Sequence, residues 1–247
     1  LSYLGSKVLN KAEIIFGDIR DNNLISEVSK NCSSIINLAA LIGIPYSYKA
    51  VRSYIDVNII GTQNLLDAAV KNKVGKFIHT STSEIYGSAQ FTPMDESHPY
   101  VAQSPYSASK ISADALVTAY NKSFYLNTII LRPFNTYGPR QSERAIISSI
   151  IRQIIDKNCK TIKVGSLTPK RDFNYISDTV NAFLSLATLS AKKIKFGTAY
   201  NAGSGKSYTI KYTLNKIIKI TNCKKKVIVE NKRIRPKTSE VLNLLAS

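Results

Sequence analysis

Short apolar runs alternate with stretches of helical periodicity through the first half of the chain, and that alternation restricts the fold more than any other feature. Glu13–Phe16, Ser34–Leu38, Phe77–Thr80 and Thr128–Leu131 each read as a strand. Between them lie a short helix near Asn23–Lys30, a longer one over Val57–Asn72 and a third over Tyr106–Phe124. In the second helix Ile60, Leu65, Leu66 and Ala69 fall on one side. Strands that are apolar throughout have no polar face to turn toward water, so both faces must be covered. The expected fold is α/β: a doubly wound parallel sheet with right-handed crossovers.

After Pro139 the pattern loosens. A helix over Ala145–Lys157, a strand over Thr161–Val164 and a basic loop, Lys170–Asp172, precede a helix over Ser177–Leu189 with Ser177 as its N-cap. A strand at Ala199–Asn201 and a helix at Ile210–Ile220 follow. The second lobe reads as interleaved with the first. The sheet domain is expected over residues 1–137 and 173–203, and a small substrate-binding lobe over 138–172 and 204–247. The chain opens on Leu1 and enters a strand almost at once, so it reads as truncated at its N-terminus.

Composition excludes several classes. No run of 18 apolar residues suggests a membrane span. Cys32, Cys159 and Cys223 form no CxxC pair, which disfavours disulfide and metal readings and fits a reducing cytoplasm. Net charge is +18, yet the lysines are dispersed and no aromatic-interleaved RNA motif occurs. A solvated basic surface fits better than a nucleic-acid groove, and it would also attract a phosphorylated small substrate.

The chemistry concentrates between Phe77 and Lys110. A strand ends in Thr80, Ser81, Thr82, Ser83 and Glu84; after a polar loop a helix opens at Ser104-Pro105, with Tyr106 and Lys110 four apart on one face. A phenol, an ammonium, a threonine hydroxyl and a carboxylate thus converge at the C-terminal end of a parallel strand, where open α/β sheets bind ligands. Tyr-x-x-x-Lys alone is common; its company with Thr80–Glu84 gives it weight. Gly203-Ser204-Gly205-Lys206-Ser207 imitates the end of a P-loop, but Tyr200 stands where the first glycine is needed, so it reads as a strand-to-helix loop.

Here the sequence resembles the extended short-chain dehydrogenase/reductases that act on sugar nucleotides, the NAD-dependent epimerase/dehydratase family. The resemblance implies a Rossmann-type sheet and NAD as cofactor, with Tyr106 as acid/base and Lys110 holding the nicotinamide ribose and lowering the tyrosine's pKa. It places Asp18, Ile19, Leu38, Ala39, Ala40, Thr80, Ser81, Tyr106, Lys110 and Pro133 at the cofactor, and Thr82, Asn135, Arg171 and Arg235 at the substrate. The two arginines and Asn135 would grip a diphosphate, and Asn58 would be structural. Thr82, Ser83, Glu84, Tyr106 and Lys110 form the implied catalytic set. The glycine-rich phosphate-binding turn of the family does not occur in the sequence.

Glu84 discriminates among subfamilies. The 4-epimerases carry a small or neutral residue there, whereas in 4,6-dehydratases that glutamate removes the C5 proton of a 4-keto sugar. Many dehydratases read Thr-Asp-Glu; this chain reads Thr82-Ser83-Glu84, as GDP-mannose dehydratases and UDP-glucuronate decarboxylases do. Leu41–Tyr48, Gly165–Pro169 and Arg235–Val241 resemble the UDP-N-acetylglucosamine 4,6-dehydratases of legionaminic acid-type pathways. The resemblance thus implies a nucleotide-sugar 4,6-dehydratase acting on UDP-N-acetylglucosamine, and a homodimer formed through the helices of Val57–Asn72 and Tyr106–Phe124. A UDP-glucuronate decarboxylase, a 4-epimerase and a non-catalytic basic binding fragment stand as alternatives.

Overall fold

The computed structural model describes residues 10–234 and 236–247. In chain order its elements are α1 (Asn22–Val28), β1 (Ser34–Asn37), the continuous helix α2 (Val51–Tyr54, Ile55–Ile60 and Gly61–Lys71), β2 (Lys76–Thr80), α3 (Pro105–Phe124), β3 (Thr128–Pro133) and β4 (Asn135–Tyr137). There follow α4 (Ile146–Ile155), β5 (Thr161–Val164), β6 (Lys170–Tyr175), α5 (Ile176–Thr188), β7 (Thr198–Ala202), β8 (Ser207–Thr209), α6 (Ile210–Thr221) and β9 (Lys226–Val229).

Strands β1, β2, β3 and β7 form one parallel sheet in that order, which is the expected Rossmann-type α/β architecture. The pleat divides its apolar residues between two cores. Phe77 and Ile130 pack with Leu66, Ala69 and Val117 beneath α2 and α3. Ile78, Ile129 and Leu131 turn the other way, onto Leu186 of α5. Because alternate residues face opposite layers, a strand covered on both sides needs apolar residues in both registers, as Phe77-Ile78 in β2 and Ile129-Ile130-Leu131 in β3 supply. The start of β2 is fastened separately: Lys76 Nζ donates to the carbonyls of Leu186, Ala187 and Leu189 at the end of α5, where a cation suits the helix dipole.

Outside the main sheet, β4, β6 and β8 form a mixed sheet, and β5 pairs in parallel with β9 to make a small two-stranded one. Ile150 of α4, Ile162 and Val164 of β5 and Leu214 of α6 make its core.

Several expectations need correction. Glu13–Phe16 is not a strand: it pairs with no strand among the described residues, and Phe16 is 86% exposed. Apolar β-branched residues mark a strand only where a neighbour supplies the ladder. Lys170–Asp172 is the first half of β6, not a loop; its backbone pairs antiparallel with β8, and Asp172 is fully buried. The cap before α5 is Tyr175, so Ser177 lies inside the helix. Strand β3 runs through Arg132 and Pro133, with the next amide, Phe134 N, donating to the Ala202 carbonyl at 2.8 Å. Helix α2 also begins earlier than expected and contains a π-helical stretch, Ile55–Ile60.

Phe77 is wholly buried between the sheet and two helices. Phe77→Ala is expected to cost about 3–5 kcal/mol of unfolding free energy. Urea titration would read this as a lower midpoint with an unchanged slope.

Candidate functional site

Two local structures aim the side chains of the implied catalytic set. Beyond Thr80 the backbone stays tied to β3 through Ser81 N and the Leu131 carbonyl at 2.7 Å. Thr82 then turns the chain by capping a single 3₁₀ turn, Ser83–Tyr86, its hydroxyl accepting the Glu84 N–H at 3.2 Å. Across from it α3 opens sharply, because Ser104 and Ser107 form a reciprocal capping box and Pro105 occupies the first turn. Tyr106 and Lys110 consequently enter the site from a fixed helix start.

Thr82 and the Glu84 carboxylate both lie close enough to Tyr106 to act on the ionisation of its hydroxyl. Thr82 is thus shared between the two groups: its side chain acts on the phenol, and its hydroxyl caps the backbone of Glu84. Lys110 is 3% exposed, with Nζ donating to the Thr80 carbonyl and lying 3.3 Å from His79 Nε2. Tyr54 packs edge-on against Tyr106, with ring centroids 6.3 Å apart.

Ionisation departs from the expectation. Burial pushes the Tyr106 hydroxyl well above the ordinary tyrosine range; the bond to Thr82 opposes that, and the charge of Glu84 reinforces it. The Lys110 ammonium itself is turned toward the β2 backbone and His79. Burial brings Lys110 down to about 8, against the opposing charge of Asp114.

The remaining candidates are dispersed over several elements. Leu38, Ala39 and Ala40 follow β1, and the next residue, Leu41, is stapled to Asn58, which accepts from its N–H at 2.8 Å and donates to its carbonyl at 3.0 Å. Asn58 also donates to Ser109 Oγ at 2.9 Å, so this structural asparagine in the π-helical part of α2 locks the loop against α3. Such π turns recur near functional sites. Asp18 sits apart and exposed, in an ion pair with Arg20 at 2.7 Å, while the Ile19 carbonyl accepts from Asn64 at 3.0 Å. Pro133 closes β3, opposite Ala202.

Asn135 lies across from Phe173, two residues along β6 from Arg171. The Asn135 Oδ1 atom is buried without a hydrogen-bond partner. Arg171 is buried, donating to the Lys170 carbonyl at 2.9 Å and facing Glu240 at 3.8 Å. Arg235 lies outside the described residues. None of the described candidates lines the cavity of about 880 Å³ between α4 and α6, which Tyr137, Phe173, Tyr208 and Tyr212 help to wall. The P-loop look-alike binds its own chain: Ser204 N and Gly205 N both donate to the Asp172 carboxylate, at 2.8 and 3.0 Å.

Sequence reasoning missed the support beneath the site. Asp114 accepts from Ser81 Oγ at 2.9 Å and from Arg132 Nε and Nη2 at 3.3 and 3.2 Å. Arg132, 1% exposed, also donates to the Tyr86 hydroxyl at 3.0 Å and lies over the rings of Tyr86 and Tyr100. The signal was the spacing itself: Asp114 continues the four-residue step of Tyr106 and Lys110. Among the described residues no cluster of His, Cys, Asp and Glu could hold a metal, and no helix is long and apolar enough to cross a membrane.

A lysine whose folded pKa lies below its unfolded value binds fewer protons folded than unfolded between the two, so stability rises with pH across that window. For Lys110 the window runs from about 8 to about 10.5. Relative to Lys110→Met, the wild-type chain is expected to gain up to about 3 kcal/mol between those limits. Paired denaturant titrations from neutral to alkaline pH measure that difference.

Comparison with known proteins agrees with this geometry. The GDP-mannose 4,6 dehydratase family matches residues 3–244. The low-salt glycan biosynthesis protein Agl12 of Haloferax volcanii is 32% identical over 203 residues, covering 82% of this chain and 64% of the relative. A dTDP-glucose 4,6-dehydratase of Actinoplanes is 33% identical over 189 residues, 76% of this chain and 58% of that enzyme. The chain therefore spans under two thirds of each of these relatives. The crystal structure of DesIV, a dTDP-glucose 4,6-dehydratase from Streptomyces venezuelae with NAD bound, superposes with a TM-score of 0.81 at 27% identity, over 94% of this chain and 69% of that one. With the family match running almost end to end, the chain belongs to the GDP-mannose 4,6 dehydratase family of NAD-dependent epimerases and dehydratases.

Proposed function

We propose that the chain carries the catalytic half of a nucleotide-sugar 4,6-dehydratase that uses NAD and takes UDP-N-acetylglucosamine. The observation that carries the reading is Thr82, whose side chain acts on the Tyr106 hydroxyl while capping the backbone of Glu84. The phenol and the residue that bears the carboxylate thus share one neighbour. The choice of an acyl-amino sugar rests on the resemblances at Leu41–Tyr48, Gly165–Pro169 and Arg235–Val241.

The residues present fit the nicotinamide and ribose end of the dinucleotide. Thr80 Oγ1 is buried with no hydrogen-bond partner, and Lys110 carries its donors beside it. When bound, the cofactor supplies a hydride acceptor and donor together with a positive charge. Tyr106 takes the proton of the C4 hydroxyl, and Thr82 hydrogen-bonds the oxygen that becomes a ketone. A carbanion beside that ketone is stabilised, so the Glu84 carboxylate removes the C5 proton while the C6 hydroxyl departs as water. Protonated Glu84, or a water held by Ser83, gives that hydroxyl its proton. Asn135, Arg171 and Arg235 hold the diphosphate, which fixes the sugar by contacts remote from the reacting carbons.

Incubation with UDP-N-acetylglucosamine and NAD, followed by mass spectrometry, separates the readings. Loss of one water supports the dehydratase. Loss of carbon dioxide from UDP-glucuronate indicates a decarboxylase, and product of unchanged mass an epimerase. Glu84→Gln is expected to stop dehydration while leaving reduced nicotinamide detectable, and Tyr106→Phe to slow the oxidation about 10²–10⁴-fold. Dehydration by Glu84→Gln at the parent rate would remove the carboxylate from the mechanism.

A further inference from the structure

Tyr106, Lys110 and Asp114 follow one another down one face of α3, and His79 of β2 lies against the last two. Its Nε2 is 3.3 Å from Lys110 Nζ and 3.7 Å from Asp114 Oδ1. The other ring nitrogen decides which of them it serves. Asn37 Oδ1 accepts from the Ala39 N–H at 3.1 Å, and its Nδ2 donates to Thr62 Oγ1 at 3.3 Å. The Thr62 proton is itself given to the Asn58 carbonyl at 2.7 Å. The amide is thereby held with its NH₂ group toward His79 Nδ1, 3.4 Å away. Nδ1 must accept, so the ring proton belongs on Nε2.

That N–H stands between two groups. Asp114 Oδ1 is buried without a hydrogen-bond partner, and Lys110 can accept only after losing its own proton. We propose that His79, held as the Nε2–H tautomer, and Asp114 behind it form a positioning pair that couples the Asp114 carboxylate to the charge on Lys110. The pair's meaning for catalysis rests on the reading of Tyr106 and Lys110 above; its geometry does not.

The groups facing Lys110 support this. Tyr106 and Asp114 come from its own helix and His79 from β2, with Arg132 of β3 on the far side of Asp114. Glu84 and Tyr54 act on Tyr106 itself. Burial and the neighbouring Lys110 keep the His79 pKa well below the ordinary histidine value, so His79 works as an oriented neutral dipole. Asp114 opposes the burial that would strip Lys110 of its proton.

Nitrogen-15 NMR of the full chain tests the pair without turnover, because the sequence has two histidines. His98 Nε2 accepts the Gln90 N–H at 3.0 Å, leaving Nδ1–H for the Pro99 carbonyl at 3.0 Å. The two rings are therefore expected to show opposite tautomers, and an Nδ1–H tautomer at His79 would overturn the proposal. The Lys110 ε-carbon signal, assigned by its loss in Lys110→Met, then reads the coupling. Asp114→Asn is expected to lower the Lys110 pKa by about one unit or more; a folded variant with the parent value refutes the pair. Should that variant not fold, Asn37→Ala serves: it frees Nδ1, lets Nε2 accept from Lys110 and raises the lysine's pKa. An unmoved tautomer and pKa there count against the proposal. Failure of the dehydratase assay leaves every one of these readouts intact.

Discussion

Burial of the Lys110 ammonium is the constraint on which the site depends. Taking a charge out of water costs several kcal/mol unless partners replace the lost solvation. Here the partners are the Thr80 carbonyl and, further off, the Asp114 carboxylate. Each comes from an element whose position the sheet fixes: β2 supplies the first and α3 the second. Asp114 in turn balances Arg132 of β3. The buried cluster thus holds two cations against one anion, and its surplus positive charge lies one helical turn from Tyr106. An anion forming on that phenol, or on a sugar oxygen beside it, would meet a field already oriented toward it.

The fold is suited to hold such a cluster. In the parallel sheet β2 and β3 end side by side, and the Ser81 amide bonded to the Leu131 carbonyl keeps them paired to the edge. Helix α3 packs on the same strands through Val117 and Ile130, so its register relative to β2 is set by the core. Asn58 fastens the loop after β1 to Ser109, one residue before Lys110. Packed helices and strands hold side chains more narrowly than loops do, which is what a site needing sub-ångström placement requires.

Much of this was legible in the sequence where a residue pattern has one physical solution. Phe77-Ile78 and Ile129-Ile130-Leu131 have to be buried on both faces, and they are. Ser104-Pro105 could hardly be anything but a helix start. The failures came where tertiary partners decide. Glu13–Phe16 has strand composition but no ladder among the described residues. Lys170–Asp172 looks like a basic loop by charge, yet its backbone is paired and Asp172 receives the amides of Ser204 and Gly205. Rotamer and hydrogen-bond choice at a buried site depend on neighbours distant in sequence, here His79 and Asn37. Asp114 and Arg132 escaped notice because each, read alone, looks like a helix-surface or strand-end charge.

The arrangement also separates what the fold must keep from what chemistry can change. His79, Lys110, Asp114 and Arg132 are interlocked, so replacing one leaves another buried charge or dipole without compensation. Glu84 is held differently. It is only half-buried, follows the strand on a short turn, and is fixed through its backbone N–H to Thr82. A neutral residue there could keep the same backbone bond. Under the mechanism proposed above, the step that distinguishes water elimination from oxidation and reduction at C4 would reside in a side chain placed by a short turn, while Tyr106 and Lys110 are placed by the start of α3.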